Sequence, residues 1–172
     1  MRVRRPIVLV TGGARSGKSR FALERAATLG SPRLFVATAE ARDEEMEARI
    51  ARHRAERGRR WRTVEAPRRL AAVVRRHSAP VLLIDCLTLW LANVMGDDAR
   101  RDVAPQIENL VAALSLRRSA VVMVTNEVGL GIVPDNPLGR VFRDAAGFMN
   151  QRVASLADEV VLLVAGQALR IK

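Results

Sequence analysis

Gly12-Gly-Ala-Arg-Ser-Gly-Lys-Ser19 sets three glycines, a lysine and a terminal hydroxyl within eight residues. That spacing suits the grip of a polyphosphate. Glycines let successive backbone N–H groups turn inward around phosphate oxygens, and a helix starting at the lysine adds the partial positive charge of its N-terminus. In such a loop the Lys18 ammonium reaches the β- and γ-phosphates, and the Ser19 hydroxyl is placed for Mg²⁺. A buried-strand pattern precedes the loop and a helical pattern follows it, a context that a chance glycine turn before a lysine lacks. Gly12, Gly13, Ala14, Arg15, Ser16, Gly17, Lys18 and Ser19 are therefore read as a nucleoside-triphosphate site.

Asp85 closes the apolar run Val81-Leu-Leu-Ile84. A carboxylate there can supply a second Mg²⁺ ligand, because ligands of open α/β sheets bind beyond the carboxyl ends of the strands. Capping the helix that follows is the other reading, and the two roles are compatible. Thr125-Asn-Glu-Val-Gly-Leu-Gly131 follows another apolar run. Asn126 and Glu127 are expected at the same sheet edge, although a plain glycine loop accounts for the pattern equally well. Of the two histidines, His77 falls at a predicted helix end, where a solvated cap suffices. His53 lies four residues from both Arg49 and Arg57, so the three share one helical face. Two flanking cations favour neutral imidazole, which beside phosphates can serve as nucleophile or base. Spacing alone is satisfied more simply by a solvated basic face.

The elements that must hold these groups alternate along the chain. Strands are predicted at 7–11, 33–37, 62–65, 81–85, 120–125, 159–165 and 168–172. Helices are predicted at 18–29, 43–57, 70–76, 87–94, 103–117 and 136–157, the second with Asp43, Glu44 and Glu45 where a helix dipole favours acid. This alternation describes parallel βαβ units with helices on both faces of one sheet. The last strand differs: Gly166-Gln167 between two strand patterns predicts a two-residue type II′ hairpin and an antiparallel partner. Without repeat or linker, residues 1–172 read as a single domain.

Composition narrows the function. At 172 residues, 49% hydrophobic and 27% charged, the chain can bury a core. Cys86 is the only cysteine, which removes intramolecular disulfides and thiolate zinc clusters. No segment has the roughly 20 apolar residues of a membrane span, and the run after the basic start is short for a signal peptide, so a cytoplasmic location is expected. The net charge of +11 comes from scattered arginines, with lysine only at 18 and 172. With 3% aromatics and no tyrosine there are few platforms for stacking single strands. A triphosphate is a sufficient acidic partner, and nucleic acid is not expected.

Taken in order, six stretches carry a resemblance over nearly the whole chain: Val10-Thr-Gly-Gly-Ala-Arg-Ser-Gly-Lys-Ser19, Ala37-Thr-Ala39, Arg49-Ile-Ala-Arg-His-Arg54 with Arg57 and Trp61, Asp85-Cys-Leu-Thr-Leu-Trp90, Val124-Thr-Asn-Glu-Val-Gly129 and Phe142-Arg-Asp-Ala-Ala-Gly147. Asn150-Gln-Arg152 and Ala157-Asp-Glu-Val160 extend it. The pattern resembles the bifunctional adenosylcobinamide kinase/adenosylcobinamide-phosphate guanylyltransferase family of cobalamin biosynthesis. The resemblance implies a P-loop, RecA-like, mostly parallel sheet assembled as a homotrimer. It implies two reactions, phosphorylation of adenosylcobinamide by ATP or GTP and transfer of GMP from GTP to adenosylcobinamide phosphate. By the same match His53 takes up GMP covalently, while Gly12 to Ser19, Ala37, Thr38, Ala39, Arg54, Ala55, Glu56, Arg57, Glu65 and Asp85 bind nucleotide. One departure is Gly58, where the family usually has proline. Two rival classes share parts of the pattern: a RecA-like ATPase acting on nucleic acid, and a simple small-molecule kinase with His53 idle.

Overall fold

The runs 7–10, 81–84 and 120–124 hold only apolar residues, mostly β-branched or leucine, the composition of strands buried on both faces. They form the middle of a seven-stranded sheet in a computed structural model that describes residues 5–41, 43–57 and 60–172, without the side chains at positions 45, 49, 52, 53, 56 and 57. In chain order the elements are β1 (Ile7–Gly12), α1 (Lys18–Ala27), β2 (Arg33–Ala37), α2 (Glu44–Arg57), β3 (Trp61–Glu65), α3 (Leu70–Arg76), β4 (Val81–Asp85), α4 (Leu87–Met95), α5 (Ala104–Ser115), β5 (Ala120–Val124), α6 (Pro137–Leu156), β6 (Glu159–Val164) and β7 (Gln167–Arg170).

The strand order is β3-β2-β4-β5-β1-β6-β7, parallel throughout except for β7 against β6. Successive side chains point to opposite faces. Ile7, Leu9, Leu82, Ile84, Val121 and Met123 join one core with Leu70, Leu91, Ile107, Leu110, Met149 and Val153 of α3 to α6. Val8, Val10, Val81, Leu83, Val122 and Val124 join the other with Ala22 and Ala26 of α1. Helices therefore cover both faces, as the alternating pattern predicts.

Local chemistry sets the element ends. Asp43 caps α2, its carboxylate accepting from Met46 N–H at 2.7 Å, and Asn136 caps α6 by accepting from Gly139 N–H at 2.7 Å, with Pro137 in the first turn. His77 is the C-cap of α3, its N–H on the Val73 carbonyl. The terminal hairpin is antiparallel as expected, but its turn is Ala165-Gly166, one residue earlier than the sequence suggests. Both have positive φ (50° and 79°), the pattern of type I′ and not type II′. A type I′ turn matches strand twist well enough to hold even an alanine in the left-handed region.

Candidate active site

The phosphate loop leaves β1 at Gly12, whose φ is 145°. A Cβ there would stand 2.4 Å from the Leu163 carbonyl oxygen and 2.9 Å from Ser16 Oγ, so only glycine fits. Gly17, with φ 95°, is the N-cap of α1. Two neighbours pin the loop: Gly166 N–H donates to the Ser16 carbonyl at 3.0 Å, and Glu127 N–H donates to the Gly12 carbonyl at 3.1 Å. Lys18 is buried, and its ammonium donates to the Gly13 carbonyl and, at 3.5 Å, to Ser16 Oγ. The one lysine of the pattern is thus held at the centre of the loop.

Beside the loop opens a cavity of about 460 Å³ bounded by the start of α1, the ends of β2, β3 and β4, and α2. Ser19, Ala37, Ala39, Arg54, Glu65 and Asp85 line it, so residues scattered over 67 positions of sequence meet around one space. Asp85 ends β4 in register with Ala37 and Val124. The N-cap of α4 is Cys86, one residue further on. Arg54 pairs with Glu65 at 3.5 Å on the rim, both side chains mostly exposed, so the pair adds little stability. Ala55 is exposed. Arg49, His53, Glu56 and Arg57 belong to α2, but their side chains, and all of Gly58, lie outside the described residues.

Thr38 does not face the cavity. It is fully buried, its hydroxyl donating to the Cys86 carbonyl and accepting from Cys86 N–H, both at 2.7 Å. Asn93 Nδ2 in turn donates to the Thr38 carbonyl at 2.7 Å and the Pro67 carbonyl at 3.2 Å. This bracket fixes the backbone that carries Asp85.

Sequence reasoning missed the apolar wall. Met46 and Ile50 of α2, Phe35, Leu89 and Cys86 line the cavity together with Thr63. Met46, Ile50 and Arg54 recur every four residues, a signal present in the sequence but overshadowed by the 49/53/57 stripe. Burial first, and then the Asp85 charge, push the Cys86 thiol above its ordinary pKa. The thiol therefore stays protonated and is a poor nucleophile. A polar chain continues from it: Cys86 Sγ contacts Thr88 Oγ1 at 3.2 Å, Asn126 Nδ2 donates to Thr88 Oγ1 at 2.7 Å, and Asn150 Nδ2 donates to the Asn126 carbonyl at 3.2 Å. The expected position of Asn126 and Glu127 at this sheet edge is thereby met.

Strand order, loop and cavity together define a P-loop nucleoside triphosphatase fold of the RecA-like kind. Solved structures similar to the chain include an ATPase from the type III secretion system of pathogenic bacteria (TM-score 0.54, 14% identity, 92% of this chain and 51% of that one). The flagellar accessory protein FlaH from Methanocaldococcus jannaschii is another (TM-score 0.53, 13% identity, 97% and 78%). At these identities the likeness concerns the fold alone. The family model described as cobinamide kinase / cobinamide phosphate guanyltransferase matches residues 8–171. The bifunctional adenosylcobalamin biosynthesis protein CobP of Pseudomonas aeruginosa is 43% identical over 166 residues, 95% of this chain and 96% of that protein. CobU of Salmonella typhimurium, described in the same words, is 43% identical over 183 residues, 96% and 99%. The chain belongs to this family, the bifunctional cobinamide kinase/cobinamide phosphate guanylyltransferases of cobalamin biosynthesis. Among the described residues no helix is long and apolar enough to cross a membrane.

Proposed function

We propose that residues 1–172 act as one domain in which a single nucleotide site serves both reactions, and that His53 carries GMP as a covalent phosphoramidate in the second. The observation that carries this reading is the cavity itself, where Ser19, Arg54, Glu65 and Asp85 converge beside the phosphate loop and α2 forms one wall. In the sequence His53 follows Ile50 by three residues and Met46 by seven, the spacing of positions that share one helical face.

In the first reaction the aminopropanol hydroxyl of adenosylcobinamide takes the γ-phosphoryl group of ATP or GTP. Lys18 and the inward N–H groups of the loop stabilise charge on the transferred group and the leaving oxygens. Hydroxyl and carboxylate oxygens are hard donors of the kind Mg²⁺ accepts alongside substrate phosphates, and Ser19 and Asp85 present both to one cavity. These two residues would hold Mg²⁺, which when bound neutralises phosphate charge.

In the second reaction an imidazole nitrogen of His53 attacks the α-phosphorus of GTP. An N–P bond forms, the bond from the α-phosphorus to the bridging oxygen breaks, and pyrophosphate leaves. An oxygen of adenosylcobinamide phosphate then attacks the same phosphorus, and the N–P electron pair returns to the imidazole, giving adenosylcobinamide-GDP. Neutral imidazole both attacks and departs readily. The protein is expected to work in the cytoplasm as a homotrimer, which sedimentation equilibrium would register as three times the chain mass.

Covalent labelling tests the histidine. With α-labelled GTP and Mg²⁺, the wild type and His77→Ala retain label after denaturation, on a peptide containing residue 53. His53→Ala takes up none, yet still binds nucleotide and phosphorylates cobinamide. Label on serine or lysine, or undiminished label in His53→Ala, would leave a kinase with an idle histidine.

A further inference from the structure

β5 lies between β4 and β1 in the sheet, so residues 125–127, leaving its C-terminal end, stand between Asp85 and the phosphate loop. Two hydrogen bonds fix them there, from Glu127 N–H to the Gly12 carbonyl at 3.1 Å and from Asn126 Nδ2 to Thr88 Oγ1 at 2.7 Å. The half-buried Glu127 carboxylate accepts from Gly129 N–H at 3.0 Å. The cavity's Glu40 and Glu65 are paired with Arg68 and Arg54 at 3.1 and 3.5 Å.

Beyond Glu127 the chain packs Val128 against the core and then runs out through Leu130, Ile132 and Val133, which are 83%, 97% and 59% exposed. It returns through Pro134 and Asp135, whose carbonyls both accept from Arg140, to the Asn136 cap. Both ends of the segment are tied down while three large apolar side chains stand in water at its tip. A held apolar surface at a site's edge marks a place where something binds.

The nucleotide cavity leaves the second substrate outside. Its volume of about 460 Å³ falls within the roughly 300–1,000 Å³ that one small ligand fills, and the corrin macrocycle of cobinamide is itself larger than a nucleotide. The acceptor must bring its hydroxyl to the γ-phosphate across the C-terminal edge of the sheet, where residues 127–133 stand. We propose that these residues are the acceptor site of the kinase reaction: Leu130, Ile132 and Val133 receive the methyl-bearing rim of the macrocycle, and Glu127 receives the proton of the attacking hydroxyl. The hydroxyl oxygen bonds to the γ-phosphorus, the bond from that phosphorus to the β–γ bridging oxygen breaks, and its electron pair leaves on the nucleoside diphosphate. The proton passes to the Glu127 carboxylate. This assignment rests on the phosphate loop being the nucleotide site.

Three variants test it in steady-state phosphorylation of cobinamide at saturating nucleotide: Leu130→Ser with Ile132→Ser, Glu127→Gln, and Glu127→Asp. The double variant should raise KM for cobinamide at least about tenfold, consistent with losing apolar contact at two side chains. Its kcat, its Kd for a fluorescent GTP analogue and its sedimentation should stay as in wild type. Glu127→Gln should lower kcat about a hundredfold while leaving KM for cobinamide and the Kd for the GTP analogue as in wild type, and Glu127→Asp should restore part of that loss. An unchanged KM in the double variant, or altered sedimentation in place of a KM effect, would assign the apolar tip to a second copy of the chain or to nothing. Wild-type kcat in Glu127→Gln would remove the base. Lys18→Ala in an otherwise unaltered chain, if its kinase reaction survived, would instead overturn the nucleotide site on which the assignment rests.

Discussion

Lys18 is buried at the centre of the phosphate loop, and its ammonium is satisfied there by a carbonyl and a hydroxyl of the loop itself. That arrangement holds the charge in place before any phosphate arrives, so little reorganisation is needed when negative charge develops. Lys18→Ala should slow both half-reactions about a hundredfold, on the order of 3 kcal/mol of lost transition-state stabilisation. Steady-state assays of each reaction decide it, and rates within threefold of wild type would take Lys18 out of the chemistry. Cys86 shows the opposite case of a chemically capable side chain kept inert. It lines the cavity, yet burial and Asp85 hold its thiol protonated. The thiol is thereby disfavoured as a nucleophile.

Between elements, the Thr38 hydroxyl carries an unusual share of the geometry. It satisfies both backbone groups of Cys86, and with Asn93 it joins the ends of β2 and β4 to α4 directly behind Asp85. Thr38→Val keeps the shape and removes both hydrogen bonds, leaving buried Cys86 groups unpaired. The expected cost is about 1–3 kcal/mol of stability, read by denaturant unfolding, with both activities reduced through displacement of Asp85. A variant as stable and active as wild type would show that β4 holds Asp85 without this bracket. Of the segment Ala37-Thr-Ala39, which the resemblance gives as nucleotide-binding, Ala37 and Ala39 line the cavity and Thr38 is buried behind it. The resemblance does not tell a side chain that lines the cavity from one that braces it, because burial of a threonine depends on which strands lie either side.

For the whole molecule, the charge of +11 looks like a nucleic-acid signal until the arginines are followed individually. Arg25 is bidentate on Glu159, Arg152 on Glu108, and Arg117 lies against Asp158. Arg33, Arg101 and Arg140 donate to backbone carbonyls around loops and helix ends. These six guanidinium groups are committed to ion pairs and backbone carbonyls at separate places around the fold. Labelled DNA and RNA oligonucleotides should accordingly show no submicromolar binding near 0.15 M salt. Tight binding that survives such salt would move the nucleic-acid ATPase reading ahead, since electrostatic contacts alone weaken steeply with ionic strength.

Several features were settled by local sequence alone. The glycine spacing of residues 12–19 fixes its own loop, because Gly12 and Gly17 take positive φ values that other residues adopt only with strain. The runs 81–85 and 120–124 are too apolar to be anything but buried, and Asp43 and Asn136 cap the helices they precede. These are short-range properties, carried within a few residues. The strand order was not of that kind. Placing β5 between β1 and β4 is what puts Glu127 beside Gly12 and brings Ser19, Arg54, Glu65 and Asp85 around one cavity. No local pattern encodes that placement, because it is chosen by the summed burial of two faces across seven strands. The same holds for the apolar tip: the sequence marks 125–131 only as a glycine loop after a strand, and it takes the finished fold to leave Leu130, Ile132 and Val133 exposed together.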